Sequence, residues 1–239
     1  MAEKIVVASG KGGVGKSSCT VAIGKELANR GYRVLLIDTD TSLRSLDVLL
    51  GVSDRVVFDW GDVICERCSF SKAIIKCKNV SLISCPLQND ERFTPEAMKK
   101  TVMLYDKMFD YIIIDSPAGV DIGLDIACAA ADRALIVSTS DKICVRSASR
   151  AAQRLYDAGI EDIRLIINRF VRKSVRRNKL LNIDSVIDST SVQLIGVVPE
   201  DENITFGIVM KSRSQPSYQP FVRITNRILG KEEPLNLNF

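Results

Sequence analysis

The chain contains no histidine and a single tryptophan among 239 residues. Without imidazole there is no Ser-His-Asp triad, no histidine base and no histidine metal ligand. Acid–base work falls to carboxylates, lysines, tyrosines and cysteines. No apolar run reaches the roughly 18 residues that cross a bilayer. The N-terminus enters a strand pattern directly, with no charged n-region, apolar h-region or cleavage site, so a cytoplasmic setting is expected. Repeats, low-complexity segments and Pro/Gly/Ser linkers are also missing. A net charge of +4 is too small to name a nucleic-acid partner. The seven cysteines are odd in number and several lie in apolar runs, which suits reduced thiols better than a disulfide framework. Cys65 and Cys68 form a C-x-x-C that reads either as two incidental thiols or as a redox or cluster pair.

What is present is enough for a core of ordinary size, with 46% hydrophobic residues. Apolar runs without alternation recur at Ile5–Ala8, Val34–Ile37, Val80–Ile83, Tyr111–Ile114, Ala134–Val137, Leu165–Ile167 and Leu194–Val197. Such runs suit strands covered on both faces. Helical patterns separate them at Ser17–Arg30, Pro95–Met108, Gly123–Ala131 and Val145–Ala158. This alternation predicts an α/β fold, a doubly wound and mostly parallel sheet flanked by helices. One domain over residues 1–230 is the simplest reading, with 231–239 a short flexible tail.

The strongest motif is Gly10-Lys11-Gly12-Gly13-Val14-Gly15-Lys16-Ser17, followed by Ser18. It fits G-x-x-x-x-G-K-[ST] between a buried strand and a helix. The glycines let backbone N–H groups turn inward around phosphates, and the helix adds its positive N-terminal end. Lys16 is placed to reach the β- and γ-phosphates, and the Ser17 hydroxyl to ligate Mg²⁺. The second strand run ends in Asp38-Thr39-Asp40, at the carboxyl end where ligands bind such sheets. Asp40 is the candidate for positioning or deprotonating the attacking water. Asp38 supports the Mg²⁺ shell or caps the loop. Asp115, at the end of Tyr111–Ile114, can hold Mg²⁺ through water, and Ser116-Pro117-Ala118-Gly119 after it reads as a second switch.

Lys11 within K-G-G-V-G-K-[ST] resembles the signature of the deviant Walker A (ParA–MinD) family of P-loop ATPases. Within that family, Asp38–Asp47 is similar to the MinD pattern D-x-D-x-G-L-R-N-L-D. Asp115–Gly119 resembles its D-S-P-A-G, Leu165–Arg169 its V-I-N-R, and Gly196–Glu202 its G-V-I-P-E-D-E. Thr94–Lys100 resembles L-T-P-E-G-M-K-K. The resemblance spans about residues 3–204. It departs at Ser42, where glycine is usual, and at Ser138–Asp141, where T-T-P-E is usual.

The resemblance implies an ATP hydrolase with ATP and Mg²⁺ as cofactors, working as an ATP-dependent homodimer. Lys11 then crosses to the partner's phosphates, and Lys11, Lys16 and Asp40 form the catalytic set. It implies an adenine contact for Asn168, flanked by Arg169, Pro199, Glu200 and Asp201, and Ser17, Asp38 and Asp115 around the metal. It implies septum placement with MinC-like and MinE-like regulators, and peripheral contact with the inner face of the cell membrane. Nucleic acid is not an expected partner. In the family an amphipathic membrane helix follows the position of Phe221–Leu229. Here Lys231–Phe239 carries acidic residues and a proline, which suit that role poorly. A flagellar-number or other cargo-positioning ATPase, a ParA-like DNA-segregation ATPase and a metallocluster carrier are the alternatives. The cations Arg169, Arg172, Lys173, Arg176, Arg177 and Lys179 fit a solvated loop, an anionic surface or DNA.

Overall fold

The computed structural model describes residues 1–205 and 207–237; the last two residues of the expected tail lie outside them. The strands are β1 (Glu3–Ser9), β2 (Val34–Asp38), β3 (Ile75–Cys77), β4 (Val80–Ile83), β5 (Tyr111–Ala118), β6 (Arg133–Ser138), β7 (Ile163–Phe170) and β8 (Gln193–Pro199). The helices are α1 (Lys16–Asn29), α2 (Leu46–Leu50), α3 (Trp60–Ile64), α4 (Pro95–Met103), α5 (Ile122–Cys128), α6 (Lys142–Asp157), α7 (Arg172–Arg176), α8 (Ile183–Thr190), α9 (Glu202–Thr205) and α10 (Tyr218–Ile228).

Among the described residues the sheet has eight strands in the order β3-β4-β2-β5-β1-β6-β7-β8, parallel except for the β3–β4 edge pair. The uninterrupted apolar runs follow from this architecture. Side chains alternate between faces, and both faces are covered. Val6, Ala8, Leu35 and Ile37 enter one core cluster with α4, α5 and α6. Ile5, Val7, Val34 and Leu36 enter the other with α1 and α10. Each fully buried Leu or Ile contributes about 1.5–3 kcal/mol. Gly24 of α1 lies so close to Leu36 that an added Cβ would meet its Cδ2 at 2.7 Å, which sets how near the helix approaches β2.

Two expected helices end early and one strand is added. The helix expected over Pro95–Met108 stops at Met103, because Tyr105 turns into the core and donates its hydroxyl to the Phe70 carbonyl at 3.0 Å. The helix expected over Gly123–Ala131 runs Ile122–Cys128 and ends in a turn closed by Ala131 N–H on the Cys128 carbonyl. The short strand β3 was not expected; its three residues are too few for a pattern. The stretch expected as a loose tail is bonded in its described part. Arg227 donates to the Glu233 carbonyl, Arg223 to that of Asn236 and Arg172 to that of Leu237. Phe221, Ile224 and Ile228 of α10 are buried against the sheet. Among the described residues no helix is long and apolar enough to cross a membrane.

The chain order places β5 between β2 and β1, and β6 on the far side of β1. The carboxyl ends of β1, β2 and β5 therefore converge, with Asp38 opposite Asp115 in register and Val7 opposite Asp115 on the other side.

Candidate nucleotide site

The loop from Gly10 to Gly15 connects β1 to α1. Gly10 is pressed against α6, where a Cβ would fall 2.0 Å from the Ser147 carbonyl oxygen. Gly15 has φ +89°, a left-handed conformation that favours glycine, and caps α1 without any side-chain hydrogen bond. The N-terminal end of α1 thus opens into the loop with its first N–H groups directed at whatever the loop encloses. The loop borders a cavity of about 570 Å³, which also meets Asp40, Ser42 and Ser45. Val14 and Ser18 complete the loop and the helix start, Val14 buried and Ser18 half-buried.

Asp115 is the electrostatic centre. It is fully buried, and Lys16 Nζ donates to its Oδ1 at 3.0 Å. Ser17 Oγ donates to Oδ2 at 2.6 Å, and Thr20, one turn further along α1, donates to Oδ1 at 3.1 Å. Ser45 Oγ donates in turn to Ser17 Oγ at 2.9 Å. Asp38 is also fully buried, and spends its oxygens on the N–H groups of Asp40 (3.0 Å) and Leu46 (2.9 Å). Burial, and after it the charge of Asp115 on the next strand, pushes the Asp38 carboxyl well above the ordinary carboxylate range.

The oxygen donors Ser17, Asp115 and Asp38 suit a hard divalent cation. Among the described residues no group of three or more His, Cys, Asp or Glu side chains is placed to cage a metal. A Mg²⁺ ion held here therefore draws on one or two protein oxygens together with water and phosphate, which is how Mg²⁺ prefers to bind.

Asp40 is only 7% exposed. Its Oδ1 accepts from Ser42 Oγ at 2.6 Å and from the N–H groups of Ser42 and Leu43 at 3.2 Å each. Its backbone carbonyl accepts from Arg44 N–H at 2.9 Å and from Cys85 Sγ at 3.3 Å. The segment expected as a second switch is tied to the loop through Gly119 N–H, which donates to the Ser9 carbonyl at 3.0 Å. Ser9 Oγ is buried at the cavity and, among the described residues, has no hydrogen-bond partner.

The residues expected around adenine gather at a smaller cavity of about 190 Å³ bordered by Gly13, Asn168, Arg169, Pro199, Glu200 and Asp201, among others. Asn168 donates through Nδ2 to the Val14 carbonyl at 2.8 Å, so one half of its amide is already given to the loop. Arg169, held at φ +53°, donates to Glu200 at 3.1 Å and to the Gly13 carbonyl at 3.2 Å. Asp201 accepts from Ser217 Oγ at 2.5 Å and from Asn203 Nδ2 at 2.9 Å. Burial alone would raise its carboxyl, but these hydrogen bonds outweigh that and hold it below its ordinary value. Lys11 is exposed at the lip of the loop and, among the described residues, forms no ion pair. Lys173, Arg176, Arg177 and Lys179 are likewise exposed and without ion pairs, on and beside α7.

Thr20 and Ser45 were not among the sequence candidates. Thr20 lies four residues after Lys16, a spacing that puts both on one helix face. Ser45 lies within the Asp38–Asp47 stretch, but nothing in the sequence pairs it with Ser17, 28 residues away.

The family profile described as "ParA: NUBPL iron-transfer P-loop NTPase" matches residues 1–207. The septum site-determining protein MinD of Synechocystis is 37% identical over 240 residues, covering 96% of this chain and 90% of that protein. The chain belongs to the MinD family of P-loop ATPases. Among solved MinD structures, the Aquifex aeolicus MinC:MinD cell division complex aligns at 34% identity and TM-score 0.89, covering 98% of this chain and 99% of that one. MinD from Pyrococcus horikoshii in complex with Mg-ADP aligns at 25% identity and TM-score 0.83, covering 95% and 96%. The MinD-family chain described here is accordingly an ATPase that uses ATP and Mg²⁺, with the doubly wound sheet of that family.

Proposed function

We propose that the protein is an ATP-driven dimerising switch that places the division septum. The carrying observation is the contrast between its two loop lysines. Lys16 is buried and engaged with Asp115 of its own protomer, whereas Lys11 stands exposed and, among the described residues, forms no ion pair, its charge reaching only the Asp141 carboxyl at a distance. An exposed cation without an ion pair at the lip of a phosphate-binding loop is suited to a second nucleotide brought by a partner copy, whose charge it would neutralise. Leu43 and Val48, 73% and 67% exposed beside the cavity, add apolar surface that a partner would cover.

In this reading Ser17, with Asp115 and Asp38 behind it, holds Mg²⁺ on the phosphates. Lys16 turns from Asp115 to the β- and γ-phosphates. Asp40 orients the attacking water, and Asn168 meets adenine through its remaining oxygen, with Arg169, Pro199, Glu200 and Asp201 around the base. The partners are a second copy of the chain, a MinC-like inhibitor of the kind seen in the Aquifex aeolicus complex, and a MinE-like regulator. The setting is the cytoplasm, with peripheral contact at the membrane's inner face. Lys173, Arg176, Arg177 and Lys179, which form no ion pair among the described residues, support that contact, since anionic headgroups attract such clusters at about 1 kcal/mol per cation.

Light scattering with Mg-ATP and with Mg-ADP tests the switch. Wild type and Asp40→Ala should double in mass only with Mg-ATP, and Lys11→Ala should stay monomeric. A mass that never responds to nucleotide rules out the switch. Sedimentation with vesicles containing anionic lipid tests the membrane contact, which should weaken when Arg176 and Arg177 are neutralised.

A further inference from the structure

The resembling motif carries glycine where this chain has Ser42, and the structure gives that side chain a partner. Ser42 Oγ donates to Asp40 Oδ1 at 2.6 Å, shorter than the two backbone N–H bonds to the same oxygen at 3.2 Å. A hydroxyl–carboxylate bond of this length is charge-assisted, roughly twice as strong as a neutral one. Ser42 is not among the residues with positive φ, so its backbone makes no demand for glycine and a side chain sits there without strain. With three donors on Oδ1, that oxygen is saturated. Among the described residues no hydrogen bond reaches Oδ2 of Asp40, and Asp40 borders the same cavity as Lys16 and Ser17.

We propose that Ser42 is a positioning residue for ATP hydrolysis. By filling Oδ1, its hydroxyl fixes the carboxylate's rotation and leaves Oδ2 as the acceptor that orients the attacking water. The inference rests on the role proposed above for Asp40. The rest of the turn is anchored independently, by Cys85 on the Asp40 carbonyl, by Arg44 on Asp47 at 2.9 Å and by Ser45 on Ser17. Loss of the Ser42 hydroxyl therefore leaves the carboxylate held only by the two longer backbone N–H bonds, without releasing the loop.

The test is steady-state hydrolysis of Mg-ATP by the full chain and its Ser42→Ala, Ser42→Gly, Ser42→Thr, Asp40→Ala and Asp40→Ala/Ser42→Ala variants, with ADP affinity and thermal melting measured alongside. Ser42→Ala and Ser42→Gly should lower kcat by roughly ten- to a hundredfold, up to the scale of a reacting group misplaced by about 1 Å. KM, ADP affinity and melting temperature should stay near wild type. Ser42→Thr, which keeps the hydroxyl, should restore kcat. The double variant should turn over no more slowly than Asp40→Ala, because the hydroxyl acts only through that carboxylate. Wild-type kcat in Ser42→Ala, while Asp40→Ala is inactive, overturns this inference alone. So does a loss that follows the melting temperature and is not restored by threonine. Wild-type turnover in Asp40→Ala removes the role of Asp40 and this inference with it.

Discussion

Asn168 and Gly15 touch: the asparagine amide donates to the Val14 carbonyl at 2.8 Å, and a Cβ added to Gly15 would sit 2.3 Å from that amide nitrogen. The nucleotide loop is therefore seated on the end of β7 as well as on β1. Gly15→Ala meets two penalties, a left-handed backbone worth roughly 1–2 kcal/mol and the contact with Asn168. Urea unfolding should show that Asn168→Ala removes part of the cost of Gly15→Ala. Strict additivity of the two substitutions would show that the contact carries no energy.

Lys16 and Asp115 form a buried pair whose members leave different debts. Lys16→Met strands a fully buried carboxylate that keeps only Ser17 and Thr20 as donors. It should destabilise the nucleotide-free protein by about 3 kcal/mol, the lower end for a broken buried pair. Adding Asp115→Asn should recover a large share of that loss, although neither variant should bind ATP tightly. Chemical denaturation of the single and double variants measures both effects.

The depressed carboxyl of Asp201 sets a pH dependence. Its contribution is fully present above the ordinary carboxylate range and is lost as pH falls through that range toward the folded value. Asp201→Asn should cost about 1–2 kcal/mol at pH 7, the scale of charge-assisted hydrogen bonds to a buried group. The gap to wild type should close as pH approaches 3. A gap that does not change with pH would mean that the charge of Asp201 is not what Ser217 and Asn203 stabilise.

The thiols divide into two classes. Cys19, Cys77, Cys85, Cys128 and Cys144 are buried, and burial pushes Cys128 up to about 11. Cys65 and Cys68 are half-buried. A thiol reagent at pH 7.5 should label Cys65 and Cys68 first and the remaining five only on unfolding, as peptide mapping can verify. Early labelling of Cys85 would show that the turn after Asp40 opens readily, since Cys85 rests on the Asp40 carbonyl.

Much of this was visible in the linear sequence because it depends on local chemistry. The glycine–lysine loop has one spacing that can curl around phosphate, and the strands carry unbroken apolar runs because helices cover both faces. The hydrogen bonds that hold the site were not visible. Ser45 on Ser17, Trp60 on Asp38 and Arg169 on Gly13 join residues far apart in sequence, and β3 is too short to show a period. Ser42 stood out as a departure from a motif, but its partner emerged only with the turn that folds it back on Asp40. The helix ends at Met103 and Cys128 were displaced by tertiary demands that no propensity expresses.

Trp60 is 2% exposed, packed edge-on against Phe93, and its indole N–H donates to the Asp38 carbonyl at 2.8 Å. It is also the protein's sole tryptophan. The chain thus contains its own optical probe, wired to the last residue of β2 beside Asp115 and the carboxylates proposed to support Mg²⁺. Its emission registers rearrangement of that strand end in real time, in unlabelled protein and without a substitution.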